Sequence, residues 1–137
     1  MGNRSTLQLV ALVFGLIYLL VGVLGFIGPL IGTGSGVTFS QDRHALFGIA
    51  EVNLVHNVVH VLIGVGGLAA ASSVANSRTY CQVVGVLLLL IGIAGVFVQN
   101  SLSLIPLGGA DIPIHLVSGA LLAYFGFAAP ISQRSTT

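Results

Sequence analysis

Four long apolar runs, at about residues 7–31, 45–75, 80–104 and 112–131, constrain this chain more than any other feature. Each is near or above the roughly 20 residues that cross a bilayer as a helix. In lipid a backbone satisfies its own hydrogen bonds, so runs of this kind become helices. The alternating ten-residue strands of a membrane barrel do not occur in the sequence. Only 5% of the 137 residues are charged, where a water-soluble domain carries about a quarter. The expected architecture is all-α, a four-transmembrane-helix bundle forming a single integral membrane domain over residues 1–137.

The first run is longer than the apolar core of a signal peptide and no A-x-A site comes after it, so it reads as a retained span. "MGNRST" matches the myristoylation pattern, but the adjacent span already anchors the chain. The single cysteine, Cys81, excludes an intrachain disulfide and a C-x-x-C site. A net charge of +1 gives no footprint for nucleic acid. The expected surroundings are membrane lipid, with other membrane subunits or further copies of the chain as candidate partners.

Orientation comes from four arginines and no lysine. With four spans, Arg4, Arg134 and a turn bearing Arg78 share one side, against Arg43 alone on the other. The positive-inside rule then places both termini in the cytoplasm.

The first and third runs resemble each other. "GLIYLLVGVLG" from Gly15 aligns with "GVLLLLIGIAG" from Gly85, and "HVLIG" from His60 aligns more weakly with "HLVSG" from His115. This is the pattern of two repeated helical hairpins related by an axis along the membrane normal. The glycines at 15, 22, 25, 85, 92 and 95 have spacings that let helices approach closely. On this reading the glycine faces of the first and third spans meet.

Polar residues gather in "EVNLVHNVVHVLIG", residues 51–64, which holds Glu51, Asn53, His56, Asn57 and His60. On an unbroken helix, Asn53, His56, Asn57 and His60 share an arc of about 100° while Glu51 points away. Asp111 and His115 share a face of the fourth span. At 1.5 Å per residue, His60 is about 27 Å from Arg78 and His115 about 28 Å from Arg134, which puts the layer at the outer membrane boundary. Several chemistries suit these residues, with proton handling and small-molecule binding behind the three that follow. The plainest is interhelical hydrogen bonding, which makes the protein a structural, accessory or binding module. A metal ion held by His56, His60 and His115 with Asp111 is the second, since a His pair at i, i+4 is a generic ligand arrangement. A porphyrin or chlorin is the third. Neutral imidazoles would be required of a ligand site, so binding would fail below about pH 6.5, the ordinary histidine value.

"GGADIPIH" reads as a glycine turn, Asp111 as N-cap and Pro113 in the first helical turn. Residues 32–44 read as a flexible external loop, with His44 in water. Tyr18 and Tyr124 are expected to bond neighbouring helices through their hydroxyls. Ser101 and Ser103 have no activating partner, and no nucleophile–base pair is visible.

"LFGIAEVNLVHNVVHVLIGVGGL" and "PLGGADIPIHLVSGALL" resemble an uncharacterised bacterial family of small four-helix membrane proteins, a domain of unknown function. Members usually read N-W-L-H where this chain has Ile112, Pro113, Ile114 and His115. The resemblance implies four spans and a bacterial inner membrane; it implies no activity, cofactor or partner.

The arginine asymmetry makes a first prediction. In a Cys81→Ala background, a cysteine at Ser135 should stay unlabelled by a membrane-impermeant maleimide in intact cells, and external labelling there would reverse the orientation.

Overall fold

The computed structural model describes residues 4–27, 44–46, 50–98 and 107–128. Four helices run in order: α1 (Thr6–Ile27), α2 (Leu54–Ala70), α3 (Val74–Val98) and α4 (Asp111–Ala128). A short antiparallel hairpin, β1 (His44–Leu46) and β2 (Ala50–Val52), precedes α2 and pairs Ala45 with Glu51. Helices α1, α3 and α4 are long and apolar enough to cross a membrane, while α2 is a shorter apolar helix of 17 residues. The chain is thus a four-helix bundle with the composition of a membrane protein.

Two span boundaries differ from the sequence expectation. The second helix begins at Leu54 rather than near 45, because Asn53 holds the chain in an extended conformation (φ −139°, ψ −179°) and caps the helix that starts after it. Its side-chain oxygen accepts the His56 backbone N–H at 2.9 Å, satisfying one of the helix's orphan donors. The second helix then ends at Ala70, and α3 starts at Val74 rather than near 80. Ser73 Oγ accepts the Asn76 N–H at 3.2 Å, a serine cap for α3. Arg78 therefore lies inside α3, one turn from its start, and not in the connecting turn. Arg43, Gln99, Asn100, Ser101, Ser103, Arg134, Ser135 and the loop at 32–43 lie outside the described residues.

Packing is pairwise. Helix α1 lies against α2 and α3 against α4, with thinner contacts between the pairs. The glycine faces of α1 and α3 do not meet each other; each is turned onto its own hairpin partner. A Cβ at Gly15 would sit 2.8 Å from the Leu68 nitrogen, and one at Gly119 2.7 Å from the Leu89 nitrogen. The reason is that α2 and α4 carry glycines of their own, Gly64 and Gly119, at the matching height. Small residues on both sides let the two backbones touch. The space between hairpins is filled by larger side chains, among them Tyr18, Ile63, Leu88 and Leu122.

The repeat is written into these contacts. Adding 70 to each α1 position and 55 to each α2 position turns the first hairpin's contacts into the second's. Gly15 on Leu68 becomes Gly85 on Ala123; Gly22 on Val61 becomes Gly92 on Leu116. Gly25 on Asn57 becomes Gly95 on Ile112, and Leu19 on Gly64 becomes Leu89 on Gly119. Polar contacts obey the same rule. Gln8 Nε2 donates to the Ala71 carbonyl at 3.1 Å, and Arg78 Nη1 donates to the Gly126 carbonyl at 3.1 Å. The offsets differ because the connection inside the second hairpin is shorter.

These contacts separate two glycines two residues apart. Gly64→Ala should lower the melting temperature in detergent, since its Cβ meets the Leu19 backbone and overpacking costs about 1–3 kcal/mol. Gly66→Ala, whose Cβ would meet only a Tyr80 ring carbon at 3.9 Å, should hold or raise it by up to ~1 kcal/mol of helix propensity. Equal responses would remove the close-approach account.

Candidate functional site

The capping of α2 by Asn53 fixes the phase of its first two turns, and with it the direction of His56 and His60. One turn apart on the same face, they place their Nε2 atoms 2.8 Å from each other. From the other hairpin, α4 brings His115 to both: its ring centroid is 6.3 Å from that of His56 and 6.3 Å from that of His60. One ring nitrogen from each of the three lies within 4.8 Å of the others. His56 and His115 are buried and His60 is partly so.

Hydrogen bonding does not account for this grouping. In the His56–His60 bond one neutral ring donates and the other accepts, which leaves one Nδ1 a donor and the other an acceptor. Both Nδ1 atoms are buried without a partner. Asp111 is only 4% exposed, and its Oδ2 is likewise buried without a partner. Each such atom costs about 1–3 kcal/mol relative to a satisfied one. All three histidines line a small cavity of about 70 Å³, and together with Asp111 they also line one of about 240 Å³. Leu46 and Val52 of the β hairpin close it above, and Phe14, Ile17 and Val21 of α1 form an apolar wall.

Tyr18 lies beside the histidines, its ring centroid 5.0 Å from that of His60. Its hydroxyl meets Ser118 Oγ of α4 at 3.0 Å, and Ser118 Oγ in turn reaches the Ile114 carbonyl at 2.6 Å. The interhelical bond expected of Tyr18 is therefore present; Tyr124 is instead 64% exposed on the outer face of α4.

The remaining polar residues separate from the histidines. Asn57 faces α1, where its side chain lies against Gly25 and both of its amide atoms are buried without a partner. Asn53 is the cap of α2. Glu51 is exposed on β2, so it belongs to a strand before the helix and not to the helix's far face. Asp111 is the first residue of α4 rather than its cap. The Ile114 N–H bonds the Ala110 carbonyl, Gly109 turns the chain at φ 57°, and Asp111 joins the lining of the cavity.

Depth also changes. The ruler from Arg78 assumed one helix from His60 to Arg78, but the chain reverses at 71–73. Tyr18, level with His60, lies roughly 18 Å along α1 from Thr6 and roughly 14 Å from Ile27. Along α2 and α4, however, His56 lies roughly 3 Å and His115 roughly 6 Å from the helix starts, so the layer extends from the mid-length of α1 toward the end of the bundle where α2 and α4 begin. Nothing in the residue pattern marks the cavity itself, but Tyr18 does stand out in the sequence as the one large residue in the buried stripe Gly15, Tyr18, Gly22, Gly25.

Residues 8–128 match the family model of a domain of unknown function, DUF4383. The chain belongs to that family. No curated protein and no solved structure matches it. This DUF4383 chain therefore presents its site through geometry alone.

The cap gives a local test. Asn53→Ala should cost about 1 kcal/mol of stability, measured by unfolding in mixed micelles, and should disturb His56 before any other member of the layer. Unchanged stability would mean that the cap does not set the phase of α2.

Proposed function

We propose that this DUF4383 protein is a membrane-embedded metal-binding protein in which His56, His60 and His115 hold a first-row divalent transition ion. The supporting observation is the convergence of three ring nitrogens, one from each histidine, within 4.8 Å of one another. Interhelical hydrogen bonding explains the layer less well, because the one bond between its histidines joins residues of the same helix. A tetrahedral ion with bonds near 2.0–2.1 Å needs its nitrogens about 3.3 Å apart. His56 and His60 would separate slightly, and His115 would close in by a rotamer adjustment. Imidazole ligands suit zinc, copper, iron or nickel rather than calcium or magnesium. Three protein ligands leave a position open toward the cavity, as in sites that bind or activate a further molecule. Asp111 fits the role of an acceptor beside that position. The size of the cavity favours an ion with a small ligand over a macrocycle. The arginine distribution and the family resemblance support a bacterial inner membrane with both termini cytoplasmic.

Cobalt(II) titration of purified protein tests this. Wild type should develop the intense visible bands of a four-coordinate ion, and His60→Ala or His115→Ala should weaken binding more than about 100-fold, beyond the effect of an outer-shell partner. Asp111→Asn should retain binding. Because a protonated imidazole cannot coordinate, affinity should fall as the buffer is acidified. A colourless wild-type sample at millimolar cobalt would overturn the metal reading.

A further inference from the structure

The duplicated architecture contains two seams between hairpins, and they have diverged. The α1–α4 seam holds the cavity of about 240 Å³; the equivalent α2–α3 seam holds one of about 70 Å³. The linings correspond under the same offsets. Tyr18 becomes Leu88, Val21 becomes Ile91, His115 corresponds to His60, and Ser118 corresponds to Ile63. One seam has thus kept a wide cavity with hydroxyl and carboxylate groups, while its twin, lined by the same three histidines, is narrowed by Ile63, Leu88 and Ile91. The wide cavity reaches the outer surface beside Ile17 and Ile114, which are 50% and 49% exposed. Ile17 stands at the mid-length of α1, the level of the hydrocarbon in a spanning helix. A molecule entering there comes from lipid and not from water.

We infer that this cavity admits, through the α1–α4 seam, a lipid-soluble molecule that ends in a hydroxyl group. The apolar wall of Phe14, Ile17 and Val21 takes its hydrocarbon part. The hydroxyl finds an acceptor in Asp111, a residue of the cavity lining whose Oδ2 is buried without a partner. A hydroxyl, which can donate, matches that acceptor. The inference deepens the metal reading, placing the hydroxyl beside the ion's open position, but the seam and the acceptor exist without an ion.

The probe is a decanol carrying a photoactivatable diazirine, applied to the full chain in phosphatidylcholine nanodiscs, with adducts mapped by mass spectrometry. Adducts should concentrate on Phe14, Ile17, Val21 and Ile114. 1-Decanol should displace the probe about tenfold more effectively than decane, the effect of one hydrogen bond. Ile17→Trp and Ile114→Trp, at half-exposed rim positions, should abolish the adducts. Leu87→Trp, the repeat equivalent of Ile17, should leave them intact. Equal labelling of the α2–α3 seam, equal displacement by decane, or persistence of the adducts in both rim variants would overturn the inference. The labelling is done on metal-free protein and the cobalt titration on a parallel sample. Seam adducts without a cobalt spectrum would sink the metal reading alone, and a cobalt spectrum without seam adducts would sink the seam alone.

Discussion

Direct backbone contact between paired helices is the constraint on which the rest of this structure depends. In a membrane, apolar side chains gain little by leaving lipid for another apolar surface, so close packing and polar contacts have to hold helices together. Gly15 against Gly67 and Leu68, and Gly85 against Ala123, bring the helix axes of each hairpin as near as backbone allows. A hairpin joined in this way behaves as one thick element. The bundle is then two such elements face to face, and the space between them is set by what their inner faces carry. Where those faces carry Leu88 and Leu122, the bundle closes; where they carry histidine, tyrosine and serine, it stays open on one side.

That arrangement explains how unsatisfied polar atoms persist in so apolar a chain. Asn53 fixes the first turn of α2, Gly109 and Pro113 fix the first turn of α4, and the glycine contacts lock each helix to its partner. His56, His60, Asp111 and His115 are therefore held by backbone that is anchored elsewhere. The scaffold holds the layer in place, which is what the proposed metal site would require.

Much of this architecture was legible in the sequence, and the parts that were not have physical causes. The bundle came from apolar run length alone, and the repeat from the Gly15 and Gly85 matches, because glycine spacing is a direct record of helix contact. The joining of His60 with His115 came from that repeat. The partner of each glycine face was not legible, since spacing says that a helix approaches another and not which one. The start of α2 was obscured because the residues before Asn53 are as apolar as those after it, and a strand and a buried helix share that composition. The 27 Å distance failed with it, because a ruler laid along one helix misleads once the chain turns at 71–73, although His56 and His115 do lie in the opening turns of α2 and α4. Asp111 looked like a cap because caps and first-turn acids use the same residue; only the Ala110 carbonyl bond decides between them.

The differences between the two hairpins are more informative than their likeness. Positions that hold each hairpin together keep their character across the repeat: Gly15 and Gly85, Gly22 and Gly92, Gly64 and Gly119. Positions that face the other hairpin do not. Tyr18 stands against Leu88, Ser118 against Ile63, and Asp111 against His56, all within the lining of one cavity or its twin. A duplicated fold built only to pack would have no reason to change at the interface while keeping the hairpins fixed. His60 and His115 are the exception, the same residue in both halves, and they meet on the axis that relates them. A single ligand on a pseudo-twofold axis sees both halves equally through those two histidines, and tells them apart through the groups around them. In this chain those groups place oxygen on one side and aliphatic carbon on the other, which gives a symmetric scaffold one open side.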